Sequence, residues 1–268
     1  MTHDVFTRFI DELPGPGRLG RHVEHDDRSL AYLVTPASAT LVSKTWDRAT
    51  PILDQGDLGS CTGNAAAGCL GTEPFDVASV ALDETEAVLY GEATTLDTVS
   101  GQYPPTDTGS TGLAVAKACK NDGLIAGYQH ATSIDIALAT IAGTAPVITG
   151  INWYTGFDSP DADGRVTIGK RDTIRGGHEF LVRGVDVENE LVHADNSWGA
   201  SWGAAGSFSF SFAHWERLLG KDGDVTVFAP LSGPAPTPTP TPTPTADAVF
   251  DKALASFWKA EKLWKANR

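Results

Sequence analysis

The spacing of apolar and polar positions changes in the middle of the chain. Before about residue 141, apolar residues recur at helical intervals, and the pattern predicts helices at 61–71, 81–90, 111–121 and 134–141. Beyond that point, alternating or continuous apolar runs predict strands at 145–154, 165–168, 180–185, 191–194, 206–212 and 225–228. Helices followed by strands predict an α+β fold, with an active-site groove between a helical half and a β half.

The two ends of the chain differ from its centre. Residues 1–45 are polar and rich in turn residues, with one short amphipathic turn predicted before Pro14. We interpret this segment as an arm packed on the central domain, with a cleaved pro-segment as the alternative. Residues 46–231 form the predicted central domain.

The last 37 positions contain two further segments, 232–245 and 246–268. The first alternates proline with threonine and predicts a stiff, extended linker. The second carries aromatic residues at helical spacing with lysines between them, which predicts an amphipathic helix. Our hypothesis is that this helix docks on a partner protein, and the alternatives are a membrane-surface contact or an undocked tail.

The candidate chemistry begins where a glycine-rich loop meets the first predicted helix. Cys61 stands at the start of that helix, where unpaired N–H groups and the helix dipole favour a thiolate and predict a lowered thiol pKa. Gln55 lies six residues earlier on the incoming loop. Its side-chain amide and the Cys61 backbone N–H are suited to stabilise an oxyanion.

A nucleophilic thiol also needs a base and a group that orients the base. His178 precedes one predicted strand and Asn196 follows the next, and a turn at 188–190 joins the two strands. A hairpin of this size brings its ends together. The Asn196 carbonyl would then fix the imidazole tautomer so that the other ring nitrogen faces the thiol.

The three motifs resemble those of the papain-like cysteine peptidases. The resemblance covers about 46–230 and is carried by Gln-Gly-x-x-Gly-Ser-Cys at 55–61, Gly-His at 177–178 and Asn-Ser-Trp-Gly at 196–199. The form of the nucleophile motif is most similar to the prokaryotic and bacteriophage-encoded branch. The resemblance implies a two-lobed fold, with a helical N-terminal lobe and a β-sheet or barrel in the C-terminal lobe.

The resemblance also implies a role for each matching residue. Cys61 would be the nucleophile, His178 the general acid and base, Asn196 its orienting partner and Gln55 the oxyanion donor. Three more residues are expected beside the substrate: Gly176, Gly177 and Trp198, the last of which would also shield the Asn–His hydrogen bond from water.

Three positions depart from the family pattern. Leu58 replaces a cysteine that usually forms a disulfide, and Thr62 replaces the tryptophan that usually follows the nucleophile. Glu179 stands where a small apolar residue usually follows the histidine. Strand alternation predicts that the Glu179 side chain points outward, away from the imidazole.

Composition and net charge exclude several classes of binding partner for this chain. The net charge of −14 argues against nucleic acid and against an anionic membrane surface, and no apolar run is long enough for a membrane span. Three cysteines, one of them the proposed nucleophile, leave at most one structural pair, and we expect Cys69 and Cys119 to be buried free thiols, with a bridge between them as the alternative. With no signal-peptide pattern, we expect a cytoplasmic protein, or one that is virion-associated or released by lysis.

The acidic stretches at 22–27 and 158–164 lack a complete ligand spacing, so no metal or other cofactor is expected.

The favoured function is hydrolysis of peptide bonds in a peptide or protein substrate through a Cys61 thioester. One alternative is a non-catalytic binding or structural module of a phage or bacterial assembly. Another is an amidase or transpeptidase that uses the same Cys-His-Asn group, because the acceptor and the groove decide the reaction.

Overall fold

The structure is a computed structural model that describes residues 6–8, 10–25, 41–75, 77 and 82–231 of the 268-residue chain. The predicted linker at 232–245 and the predicted helix at 246–268 lie outside the described residues. The predicted amphipathic turn near the N-terminus is wrong where it is described, because β1 (Phe6–Arg8) is a strand that pairs antiparallel with β2 (Val23–His25).

Five helices are described, and four of them match helices predicted from the sequence. They are α1 (Cys61–Leu70), α2 (Leu82–Leu96), α3 (Gly112–Asn121), α4 (Ile134–Gly143) and α5 (Phe212–Leu219), with a short 3₁₀ turn at Thr155–Phe157. All ten residues of α1 are buried, and its run of alanine and glycine allows neighbouring elements to approach closely. Within the described ranges, no helix is long and apolar enough to cross a membrane.

Side-chain caps set two of the observed element boundaries. α3 begins at Gly112, one residue after the predicted start, because the Thr111 side chain accepts a hydrogen bond from the Ala114 N–H and caps the helix. The predicted strand at 206–212 stops at Ser211, whose side chain caps α5.

The remaining strands form one antiparallel sheet. They are β3 (Lys44–Thr45), β4 (Gly127–His130), β5 (Val147–Tyr154), β6 (Ile174–Asp186), β7 (Leu191–Asp195), β8 (Ser207–Ser211) and β9 (Asp224–Ala229). The order is β4-β9-β5-β6-β7-β8, with β3 beside β6, and the sheet does not close into a barrel. The predicted strand at 165–168 is wrong, since Arg165 makes only an isolated bridge to Ser209. The predicted α+β class is confirmed.

Two hydrophobic cores lie on either side of the groove. The core of the β half surrounds Trp153, whose ring lies 4.8 Å from His178 and 5.1 Å from Trp198 between centroids. The core of the helical half joins α1 and α3 to three sheet residues: Ile148, Leu181 and Phe228. Residues of β5 and β6 therefore contribute to both cores, which fixes the strand that carries His178 relative to the helix that carries Cys61.

A buried ion-pair cluster holds the end of β7. The Asp195 side chain is 1% exposed, and its Oδ2 accepts hydrogen bonds from Arg48 at 3.2 Å and Arg183 at 2.9 Å. Its Oδ1 accepts one from the Ser207 hydroxyl at 2.7 Å. Because Asn196 follows directly, this cluster also positions the proposed orienting amide.

Replacing Asp195 with alanine should lower the free energy of unfolding by about 3 kcal/mol, because two arginines would lose their shared carboxylate and Arg48 would stay buried without it. Urea unfolding followed by circular dichroism measures the change. Asp163→Ala removes an exposed carboxylate and should change stability by less than about 0.5 kcal/mol. Equal effects of the two substitutions would contradict the assigned role of the cluster.

Candidate active site

Cys61 lies at the point where the helical half meets the sheet. It is the first residue of α1, and its side chain is fully buried. The backbone N–H of Glu179, the residue that follows His178 on β6, is close enough to the thiol to lower its pKa. The sulfur is therefore held beside the strand that carries the imidazole.

The hairpin of β6 and β7 brings His178 and Asn196 together. Asn196 Oδ1 lies 2.7 Å from His178 Nε2, and the same oxygen accepts the Ser197 backbone N–H at 2.8 Å. His178 Nδ1 makes no hydrogen bond with any described residue. The acceptor on Nε2 fixes the tautomer in which Nε2 carries the proton, which leaves Nδ1 free to accept one.

His178 differs from the prediction in its position along the strand. It was expected at the start of a strand, but β6 begins at Ile174 and His178 lies in its interior, opposite Ile151 of β5. The Trp198 ring lies 5.2 Å from the imidazole between centroids. Both side chains are buried, so the Asn–His hydrogen bond has little contact with water.

Gln55 is tied to the loop that carries Asn196. Its backbone N–H donates to the Ser197 carbonyl at 2.8 Å, and its side-chain oxygen accepts from the Ser197 hydroxyl at 2.6 Å. The side-chain nitrogen then points away from Ser197 and donates to the Leu58 carbonyl at 2.8 Å and to the Leu19 carbonyl at 3.4 Å. A carbonyl of the N-terminal arm thus contacts the group proposed as the oxyanion donor.

Residues 10–25, which we call the arm segment, fill the groove between the two halves. On one side, the N–H groups of Gly20 and Arg21 donate to the Gly177 carbonyl at 3.2 and 3.0 Å. On the other side, the Ser110 N–H donates to the Gly20 carbonyl and the His22 N–H donates to the Ser110 carbonyl. The arm segment is therefore hydrogen-bonded to both walls in an extended conformation.

The three residues expected beside a substrate all contact the arm segment. A β-carbon at Gly177 would clash with the Arg21 carbonyl, and one at Gly176 would lie 2.6 Å from the Leu19 side chain. Trp198 donates its indole N–H to the Arg18 carbonyl at 2.9 Å. These positions hold a backbone in the groove, although that backbone belongs to the chain itself.

Burial keeps both proposed catalytic groups neutral. It raises the pKa of the Cys61 thiol well above its ordinary value, and the Glu179 N–H lowers it by less. Burial also lowers the pKa of His178 to about 3, and the hydrogen bond to Asn196, which raises this pKa, has a smaller effect. The prediction of a lowered thiol pKa is wrong for this arrangement, because desolvation by burial is the largest effect on the thiol.

The prediction for Glu179 is also wrong. Its side chain is fully buried, because β6 lies inside the sheet and is covered on both faces, so alternation turns Glu179 towards the helical half and not to solvent. Burial raises the pKa of Glu179 well above its ordinary value, the Asp224 carboxylate raises it further, and Arg21 lowers it.

Sequence reasoning missed four residues of the site: Arg21, Ser110, Arg175 and Asp224. Arg175 is 1% exposed and donates to the arm carbonyls of Leu13 at 3.1 Å and Gly17 at 2.6 Å. Their roles arise from contacts between distant segments, so a local pattern could not reveal them. The available signal was the charged residue directly after His178, since a carboxylate on an inner strand needs a partner.

Within the described ranges, no group of three or more histidine, cysteine or acidic side chains is placed to hold a metal ion. The three cysteines are free thiols, and all three are buried.

Comparison with solved structures shows the same fold in cysteine proteases. Xylellain, a cysteine protease from Xylella fastidiosa, has a TM-score of 0.61 and 20% identity, with 85% of this chain and 100% of that chain covered. Digestive procathepsin L 3 from the larval midgut of Tenebrio molitor has a TM-score of 0.56 and 16% identity over 80% of this chain and 75% of that one. Digestive procathepsin L2 from the same source has a TM-score of 0.52 and 17% identity over 82% and 78%.

These similarities define the class of the fold, which is papain-like and two-lobed with an open antiparallel sheet. No protein-family model matches the sequence, and no curated protein matches it either. The relation to the prokaryotic and bacteriophage-encoded branch stays a prediction.

Proposed function

We propose that this chain is a cysteine peptidase in which Cys61 is the nucleophile and His178 the general acid and base. The observation that carries the proposal is the arrangement of the imidazole. Nε2 lies 2.7 Å from Asn196 Oδ1, and Nδ1 makes no hydrogen bond with the described residues. The backbone N–H of Glu179, the next residue, is close enough to the Cys61 thiol to lower its pKa.

The reaction follows from these positions. His178 Nδ1 accepts the thiol proton, and the thiolate attacks the substrate carbonyl carbon to form a tetrahedral oxyanion. The Cys61 N–H and the Gln55 side-chain amide stabilise that oxyanion once the Leu19 carbonyl has left. The carbon–nitrogen bond breaks as His178 returns the proton to the leaving amine, and water activated by His178 then hydrolyses the thioester.

We infer that the described arrangement is latent and that the arm segment must withdraw before a substrate enters. The arm segment contacts Gln55, Gly177 and Trp198, which the mechanism needs for the substrate. Admitting water would remove much of the desolvation that raises the thiol pKa and lowers the imidazole pKa. Proton transfer from Cys61 to His178 would then become favourable.

Active-site labelling tests the proposed function. In the variant Gly20→Val, which displaces the arm segment, a peptide that carries a thiol-reactive electrophile should modify Cys61 and leave Cys69 and Cys119 unmodified. Those two thiols are buried in the hydrophobic core of the helical half. Peptide mapping by mass spectrometry identifies the modified residue, and cleavage of a peptide library is measured in parallel. Labelling at Cys69 or Cys119 alone would contradict the proposal.

The same assay separates the alternatives. A non-catalytic binding module would neither cleave the library nor be labelled at Cys61. A transpeptidase would join the acyl group to an added amine faster than to water, and an amidase of cell-wall peptides would act on purified cell-wall material and not on the library.

A further inference from the structure

Three neighbouring strands form an acidic notch behind the groove. Gly150 on β5 pairs with Glu179 of β6 on one side and with Asp224 of β9 on the other. The two carboxylates therefore flank a position without a side chain. Gly112, at the start of α3, closes the notch, because a β-carbon there would lie 2.9 Å from Glu179 Oε1 and 3.2 Å from Asp224 Oδ1. We call these four residues the acidic pocket.

The side chain of Arg21 occupies the acidic pocket. It is fully buried, and its Nη2 donates to Asp224 Oδ2 and, at 2.8 Å, to the Asp222 carbonyl. Its Nε lies 3.9 Å from Glu179 Oε2. A β-carbon at Gly150 would clash with Arg21 Nε, so the missing side chain is what leaves room for the guanidinium.

The acidic pocket has more acceptors than Arg21 uses. Among the described residues, neither oxygen of Glu179 has a hydrogen-bond partner, nor does Oδ1 of Asp224, and Arg21 Nε and Nη1 also make no hydrogen bond. Burial and the neighbouring Asp224 disfavour the charged form of Glu179, and a cation between the two carboxyl groups offsets this effect. A neutral or apolar side chain provides no such charge and is therefore a poor occupant. A guanidinium has five N–H donors in a planar fork, which suits two facing carboxylates better than a lysine ammonium does.

The pocket is close to the reacting groups. Glu179 follows His178 in sequence, and its backbone N–H is close enough to the Cys61 thiol to lower the pKa of that thiol. An extended peptide advances about 3.3 Å per residue. A side chain in the acidic pocket thus belongs to a residue close to the bond being cleaved.

We propose that the acidic pocket selects an arginine side chain of the peptide substrate, and that Arg21 of the arm segment takes the place of that side chain in the described structure. The inference rests on the proposed function and adds the substrate class. Cleavage sites in proteins should accordingly have an arginine at one fixed position near the cleaved bond.

The test uses the full-length Arg21→Gln variant, in which the arm no longer supplies the guanidinium. Two electrophilic peptides are compared, one with an arginine and the other with a citrulline at the same position. Citrulline has nearly the same shape as arginine and carries no charge. The comparison is repeated with this residue placed at each position along the peptide. At one position the arginine peptide should label Cys61 at least about tenfold faster than the citrulline peptide, as expected for a buried charge pair.

Matched variants assign this preference to the two carboxylates. In the Arg21→Gln background, adding the nearly isosteric Glu179→Gln or Asp224→Asn should bring the ratio of labelling rates close to one. Adding Glu188→Gln, which alters an exposed carboxylate on the β6–β7 turn, should leave the ratio unchanged. If Arg21→Gln does not fold, wild type and the single variant Glu179→Gln are compared with the same peptide pair.

A binding measurement separates failure of this inference from failure of the proposed function. The rise in melting temperature is measured with arginine and citrulline peptides that lack the electrophile. A larger rise with arginine supports the acidic pocket even if Cys61 is never labelled, in which case the peptidase proposal fails alone. If neither labelling nor melting temperature distinguishes the two peptides at any position, the inference is overturned.

Discussion

Replacing Cys61 with alanine is expected to reduce the rate of peptide cleavage at least about a thousandfold while leaving the fold intact. The reason is chemical, because without the sulfur no acyl-enzyme can form and only the remaining oxyanion donors and substrate contacts can assist direct attack by water. Alanine fits the buried site at the start of α1, where Ala65, Ala66 and Ala67 already pack closely. Initial rates on a cleaved library peptide measure the loss.

The matched controls for this substitution are Cys69→Ala and Cys119→Ala. Both residues are buried free thiols, one in α1 and one in α3, so each control removes the same atom from a similar environment. Each should retain cleavage within a few-fold of wild type and show at most a modest loss of stability. Full cleavage by Cys61→Ala, or a loss in all three variants alike, would show that Cys61 is not the nucleophile.

Replacing Gly20 with valine is expected to open the groove without changing any residue of its walls. Gly20 has a φ of 142°, and a β-carbon there would clash with the carbonyl of Gly59. Valine can occupy this place only if the arm segment moves away. Because a buried thiol reacts through open states, each destabilisation of the closed arm by about 1.4 kcal/mol should raise the reaction rate of Cys61 about tenfold.

Alkylation of Cys61 by a small thiol reagent, followed by mass spectrometry, measures this opening. We expect an increase of at least about tenfold for Gly20→Val, accompanied by faster cleavage of a substrate. Gly127→Val is the matched control, because Gly127 lies on β4 with open space around its α-carbon and outside the arm segment. A folded Gly20→Val protein whose Cys61 reacts at the wild-type rate would contradict the latent arrangement.

The elements that the sequence predicted well are those with a strong local period. The nucleophile helix, the strand that leads to Asn196 and the last two strands are predicted to within one residue of their observed bounds, because burial imposes a repeat of 3.6 or 2 residues. The strand that carries His178 begins earlier than predicted, at Ile174. The strand predicted at 165–168 does not form, because pairing depends on contacts between distant segments that the local pattern does not contain. Here Arg165 contacts Ser209 at a single isolated bridge.

Glu179 shows why the environment of a charged side chain could not be predicted from the strand pattern alone. Alternation predicts only that neighbouring residues face opposite sides of a strand, and it does not say whether the second side is solvent or another layer of protein. The helical half covers that second side, so the carboxylate faces a pocket with Asp224, from a strand 45 residues later, and Arg21, from the N-terminal arm.

The sequence by itself determined the α+β class and proposed Gln55, Cys61, His178 and Asn196 as the reactive group, because spacing within helices and hairpins is a local property. Only the tertiary structure decided what surrounds them. The arm segment lies in the groove, burial keeps thiol and imidazole neutral, and three strands bring two carboxylates together around a glycine. These features depend on contacts between residues far apart in the chain and on the desolvation that such contacts produce. Neither the contacts nor the desolvation leaves a periodic pattern in the sequence.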